Sequence, residues 1–202
     1  MAVTFAQAAI GKIPPDAFPK MRGFCAIGLV NPKTSINVGS VLRAAHCFDA
    51  SFVVVSGHRY SKAPTDVVNT AAHRPLFHAD DILSLCPHDC EPVAVDIVPG
   101  AINLDEFRHL PRAFYIFGPE DGTLGKKITD RCARSIVIPS RMCLNLAAAV
   151  NVVLYDRIAK ALRDRRRNPD GDSVILGSAA LNPTPPPSAP RLAGRGQPPS
   201  WQ

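Results

Sequence analysis

No run of apolar residues in this chain approaches the roughly 20 that a bilayer-crossing helix requires. The first ten residues are mildly apolar, but no basic residue precedes them and no small-residue cleavage site follows, which argues against a secretory signal. The glycine-rich turns that announce nucleotides are missing too. Neither G-x-G-x-x-G nor G-x-x-x-x-G-K-[ST] occurs, so dinucleotide binding and phosphate-loop hydrolysis lose their usual support. No internal repeat is visible, which sets aside solenoids and propellers. With 46% hydrophobic and 20% charged residues, what remains is a globular protein, expected in the cytoplasm.

The six cysteines, at 25, 47, 86, 90, 132 and 143, lie mostly inside apolar runs, as small buried thiols do in reducing compartments. A disulfide framework is not expected. Cys86-Pro87-His88-Asp89-Cys90 contains zinc-ligand types, but a tetrahedral site needs about four ligands and no second Cys/His pair stands at finger-like spacing. The segment reads as a solvent-facing loop with incidental thiols, and no metal is expected.

The formal charge of +6 points to a polyanionic partner. About half of that excess lies from Arg163 onward, where six arginines face three aspartates. Arg157, Lys160, Arg163, Arg165, Arg166 and Arg167 read as a basic ridge, either a solvated helix end complementing its own dipole or a phosphate-contacting surface.

Apolar residues 24–30, bounded by Gly23 and Asn31-Pro32, predict a buried strand. Helical spacing follows over 36–49, then a strand over 52–56. Short helices are expected near 64–71, 80–85 and 104–109, strands over 92–96, 113–117 and 135–138, and a helix over 125–133. A long amphipathic helix over 144–165 has apolar positions at 144, 147, 148, 154, 158, 161 and 162. Strands alternating with helices imply an α/β fold with a mostly parallel sheet covered on both faces. Three regions are expected: an N-terminal extension over 1–20, the domain over 21–165, and a proline-rich tail over 166–202 with too few core-forming residues to order itself.

Two segments carry the chemistry. After the first strand, Asn37 stands near a helix start, with Gly39 and Ser40 permitting close approach and Arg43 two turns in. Taken alone, Asn37 could be a helix cap and Arg43 a surface pairing residue. Further on, Gly118-Pro119-Glu120 places a carboxylate beyond a strand's carboxyl end, where open α/β sheets hold ligands. Ile138-Pro139 ends the next strand, and Cys143-Leu144-Asn145 opens a helix with free N–H groups and an oriented amide.

Together these segments resemble the SpoU/TrmH family of RNA ribose methyltransferases, within the SPOUT superfamily. The family's N-x-G-x-x-x-R motif is matched by Asn37, Gly39 and Arg43, its G-P-E by Gly118, Pro119 and Glu120, and its I-P and S-L-N by Ile138-Pro139 and Cys143-Leu144-Asn145. The resemblance covers about residues 22–162. It departs at Cys143, where serine is usual and a thiol is a weaker hydrogen-bond partner, and in the short spacing from Ile138 to Cys143.

The resemblance implies a C-terminal trefoil knot and a homodimer with the site at its interface. It also implies S-adenosylmethionine bound by loops after Val95-Asp96, Gly118 and Ile138 and by Cys143 and Leu144. The implied reaction is methyl transfer to a ribose 2′-hydroxyl, with Arg43, Asn37, Glu120 and Asn145 as catalytic residues. Arginine stays protonated in proteins, so Arg43 is preferred as a clamp on the adjacent phosphate over a direct base, with Glu120 and Asn37 orienting it. No appended RNA-binding domain is expected before residue 20, which favours tRNA, the anticodon loop first, over ribosomal RNA. The rivals are a catalytically silent RNA-binding module on the same fold and a flavodoxin-like small-molecule protein.

Overall fold

The segment Phe24–Val30 has no polar side chain to give to solvent, and the chain buries it inside a sheet. The computed structural model describes residues 23–59 and 74–167. Within them lie strands β1 (Phe24–Val30), β2 (Val53–Ser56), β3 (Leu76–His78), β4 (Glu91–Val95), β5 (Ile102–Asn103), β6 (Arg112–Phe117) and β7 (Arg134–Val137). Their order in the sheet is β3-β2-β1-β6-β4-β7-β5, and all the pairings are parallel. β7 therefore sits between β4 and β5, both of which precede it in the chain.

Helices α1 (Ser35–Cys47) and α3 (Leu146–Arg167) pack against each other on one face. Cys25, Ile27 and Leu29 of β1 point into this layer together with Val41, Val150 and Leu154. The alternate residue Ala26 faces the other side, with Val54, Ala94, Phe114 and Ile116, as the two-residue period of a strand dictates. That side is covered by a 3₁₀ turn at Ile82–Leu85 and by the short helix α2 (Lys126–Thr129). Gly28 makes the thin cover fit: a Cβ there would stand 2.8 Å from Cδ1 of Ile82.

The expected parallel α/β architecture is thus present, with local differences. The helix expected over 104–109 is a single turn, because Phe107, His109 and Leu110 are all buried and that spacing is no helix face. The helix expected over 125–133 stops at Thr129; Cys132 is already buried and the Ala133 amide donates to the Pro92 carbonyl at 2.8 Å, leading into β7. The expected helix over 80–85 is the 3₁₀ turn, capped by Asp81. β3 and β5, three and two residues long at the sheet edges, carry too little pattern to predict. The expected helix over 64–71, the extension over 1–20 and the tail from residue 168 lie outside the described residues.

Two members of the expected basic ridge face inward. Arg157 is 3% exposed, and its guanidinium donates to the carbonyls of Leu110 (2.7 Å), Pro111 (3.1 Å) and Phe24 (3.3 Å) and to the Tyr115 hydroxyl (3.1 Å). Lys160 donates to the carbonyls of Leu104 and Phe107 and pairs with Asp156 at 2.6 Å. Arg163, Arg166 and Arg167 remain in solvent.

Between these residues lies His109, also 3% exposed. Its Nε2 is 2.8 Å from the Asp156 carboxylate and its Nδ1 2.6 Å from the Tyr115 hydroxyl. A carboxylate only accepts, so neutral His109 carries its proton on Nε2 and Nδ1 accepts from Tyr115. The network pins α3 to the N-terminal edges of β1 and β6.

Burial pushes the His109 pKa down to about 4, with the positive charge of Arg157 adding to it and the bond to Asp156 opposing it. The unfolded chain takes up this proton near pH 6.5, whereas the folded chain resists it. Stability is therefore complete above pH 6.5 and declines as pH falls toward 4, by up to about 3 kcal/mol for a shift of this size. Urea denaturation between pH 7 and 4.5 should show the decline, and His109→Gln should flatten it.

Candidate active site

Four neighbouring strands, β1, β6, β4 and β7, end at the same edge, and their loops carry the three motif segments picked out in the sequence. Thr34 caps α1, its hydroxyl accepting from the Asn37 amide N–H at 3.3 Å. Asn37 is thereby relieved of capping. It lies inside the first turn, 9% exposed, with its side chain turned toward the β6 loop.

There it meets Glu120. Asn37 Nδ2 donates to Glu120 Oε1 at 2.6 Å, and the Lys33 main-chain N–H donates to Oε2 at 2.9 Å. Asn37 Oδ1 in turn accepts from Asn145 Nδ2 at 3.1 Å. Asn145 Oδ1 accepts from the main-chain N–H groups of Ala147 (2.9 Å) and Ala148 (3.4 Å), capping α3. Because Glu120 can only accept, each amide has one possible orientation, and the relay runs in a single direction from the α3 terminus to the carboxylate. Three segments up to 108 residues apart are joined through side chains.

Beside the relay is a cleft whose walls include Val95, Asp96, Gly118, Ile138, Cys143 and Leu144, all six residues expected to hold a cofactor. Glu120 also lines it, whereas Asn37, Arg43 and Asn145 do not. Phe117, which the sequence places at the start of this loop, adds to its apolar walls, as do Ile97 and Ala149, which sequence reasoning missed. Asp96 is occupied with structure. Its two oxygens accept from the main-chain N–H groups of Ile97 and Leu124, both at 2.7 Å, tying the β4 loop to the end of the β6 loop. Gly118 permits that approach, since a Cβ there would lie 3.3 Å from the Leu124 nitrogen.

A second tie has no signature of its own in the sequence. Arg59, just past β2, makes a two-pronged bond to Asp121 at 2.7 and 2.8 Å, and Lys33 Nζ stands 3.9 Å away. The Arg59 bond holds the Asp121 pKa down to about 2. Only adjacency to Glu120 could have marked Asp121 out.

Arg43 lies elsewhere. Six residues beyond Asn37 a helix has turned through about 240°, which puts Arg43 in solvent with Ile36, Ser40 and Cys47. Glu120 and Asn37, expected to orient it, bond instead to each other, to the Lys33 amide and to Asn145. Gly39, on the same side of the helix, faces open space.

Residues 25–155, more than half of the chain, match the model of the SpoU rRNA Methylase family. No curated protein sequence matches the chain. Among solved structures, the SpoU methyltransferase AviRb from Streptomyces viridochromogenes, in complex with the cofactor AdoMet, is similar with a TM-score of 0.62 and 19% identity, over 74% of this chain and 62% of that one. The A. aeolicus TrmH/SpoU tRNA modifying enzyme gives 0.62 and 16%, over 76% and 81%. A structure described as giving insights into the 2-OH methylation of C/U34 on tRNA gives 0.58 and 22%, over 70% and 92%. At such identities the likeness establishes a shared fold, and the chain spans less than two thirds of the length of AviRb.

The relay is testable without any ligand. Glu120→Gln presents an amide N–H₂ to one of two donors, so either the Lys33 or the Asn37 bond is lost. The expected cost is about 1–3 kcal/mol of unfolding free energy, read by urea denaturation, with faster hydrogen exchange at the Lys33 amide. An unchanged stability would mean that the relay contributes nothing to the fold.

Proposed function

This chain belongs to the SpoU rRNA methylase family, and on that ground we propose that it is an S-adenosylmethionine-dependent RNA methyltransferase acting on a ribose 2′-hydroxyl, with tRNA as substrate. The observation that carries the reading is the meeting of the three motif segments through Glu120, Asn37 and Asn145 beside a cleft lined by all six expected cofactor residues. Coverage favours tRNA: the chain spans 92% of the neighbour associated with C/U34 of tRNA.

The cleft suits S-adenosylmethionine by its chemistry. Val95, Phe117, Ile138 and Leu144 offer apolar walls for a flat base, and Glu120 offers negative charge at the edge. Asp96 is spent on loop amides, so polar contacts would fall to main-chain groups, and Cys143 in place of serine takes little away. When bound, the cofactor supplies an electrophilic methyl on a sulfonium, a leaving group that needs no protonation.

The protein's share is then alignment. Glu120, held from two sides, keeps the β6 loop in place against α1, and Asn145 holds the start of α3 at the cleft margin. Arg43 projects into solvent and is free to take the phosphate next to the target ribose, where a guanidinium lowers the cost of developing oxyanion charge. Recognition through a 2′-hydroxyl selects RNA over DNA.

A homodimer completes the proposal. α1 and α3 leave Ile36 (74% exposed), Val152 (38%) and Tyr155 (63%) in solvent on two helices packed against each other. A second copy covering this surface would bring its own Arg43 face toward the neighbouring site, and the open space at Gly39 allows close approach. The position of β7 between β4 and β5 suits a trefoil knot at this end of the sheet. The domain is taken as 21–165, extended by the last two residues of α3, with residues 168–202 accessory to it.

Arg43→Ala should abolish transfer of labelled methyl to RNA while cofactor affinity by calorimetry stays within a few-fold. Activity retained would remove Arg43 from the reaction, and salt-sensitive RNA binding with no transfer by the parent protein would favour a silent binding module. Tyr155→Glu should halve the mass seen in sedimentation; a parent protein that sediments as a monomer would dismiss the dimer.

A further inference from the structure

The loop Cys86-Pro87-His88-Asp89-Cys90 enters β4 from its N-terminal side, at the opposite end of that strand from the cleft. Its thiols are not the solvent-facing, incidental groups that the sequence suggests. Both residues are partly buried and pack on the layer that contains Ile82 and Cys132. The Cys86 sulfur lies against the Cys90 residue, its thiol donating to the Cys90 carbonyl at 3.3 Å and also facing the Pro87 carbonyl at 3.8 Å. The loop is folded to bring them together. The Cys90 amide donates to the Pro87 carbonyl at 3.1 Å, and Asp89 takes a φ of 60°, a left-handed conformation that a non-glycine residue adopts only where a turn demands it.

The pair differs from the other cysteines and from a metal site. Among the described residues no group of three His, Cys, Asp or Glu side chains is placed to hold a metal. Cys25 and Cys132 are buried, and burial pushes their thiols up. At the Cys86–Cys90 loop the His88 and Asp89 side chains stand in solvent, so small reagents reach the turn.

We propose that Cys86 and Cys90 form a reversible redox pair, a modification site at which a peroxide is reduced and an intraloop disulfide is made. The Cys86 thiolate attacks one peroxide oxygen, the O–O bond breaks, and hydroxide leaves, so that Cys86 becomes a sulfenic acid. The Cys90 sulfur then attacks the Cys86 sulfur, the S–O bond breaks, and water departs with the Cys90 proton. In sum two thiols lose two electrons and one peroxide becomes two waters. Cys86 is the attacking sulfur and Cys90 the resolving one, an assignment that the Cys90→Ser variant tests.

Trypsin does not cut between Arg74 and Pro75, so both sulfurs lie on one peptide, 63–108, with no other cysteine. The full chain is treated with equimolar hydrogen peroxide, alkylated with iodoacetamide and digested. This peptide should lose two hydrogens and escape alkylation at both positions together, by about tenfold, and dithiothreitol should restore both. Cys90→Ser should leave Cys86 as a sulfenic acid that dimedone captures; if that variant fails to fold, the mass change in the parent protein decides alone. Alkylation of both residues as in the untreated protein, a link from Cys86 to Cys132, or stepwise over-oxidation of Cys86 without linkage would overturn the proposal.

Discussion

The Glu120 carboxylate is the point on which the site depends. It is the one group in the relay that can only accept, so it sets the orientation of Asn37, which sets that of Asn145, which fixes the start of α3. Replace the carboxylate by a group that also donates and one of its two bonds, to Lys33 or to Asn37, is lost. Hydrogen bonds to a charged partner are worth more than neutral ones, about 1.5–3 kcal/mol each. Two of them help to hold three loops at one edge of the sheet, where backbone pairing has ended.

The far half of α3 is held by a different device. Asp156, Arg157 and Lys160 reach from one stretch of helix to His109, Tyr115 and the carbonyls of Leu104, Phe107, Leu110 and Pro111. These carbonyls belong to a chain segment with no regular structure, and those of Phe107 and Leu110 accept from these cations rather than from a main-chain N–H. One helix is thus fastened by its N-cap at the cleft end and by buried cations at the other. An α3 that cannot slide is what gives Asn145, and through it Glu120, a constant position.

Much of this was legible in the residues. β1 is a bare apolar run and β6 an aromatic-rich one because the core covers both faces, and α1 and α3 show helical spacing because one side of each packs on it. The motif residues could be picked out, and the cleft contains the six expected to line it. What could not be read was direction. Arg157 and Lys160 sit in a run of positive residues that looks like a solvated helix end, and only the fold reveals that uncapped carbonyls wait beneath the first two. The 104–109 stretch has helix-forming composition, yet its side chains are claimed by the core at a spacing no helix can serve. The pairings of Glu120 with Asn37 and of Asp121 with Arg59 join residues 83 and 62 positions apart, and no local pattern encodes such a distance.

The separation of Glu120 from Arg43 has an electrostatic consequence for the proposed reaction. Had the carboxylate paired with Arg43, it would have held the guanidinium still but also cancelled the charge meant for a phosphate. With Glu120 satisfied by an amide and a main-chain N–H, which are neutral, the positioning is done without consuming a cation. The neighbouring Asp121 shows the alternative, since it draws Arg59 into a two-pronged pair that ties the loops firmly and leaves little net charge. The same edge of the sheet thus uses neutral donors at Glu120 and a charged donor at Asp121, so that in the proposed reaction Arg43, exposed on α1, would keep its charge for the phosphate.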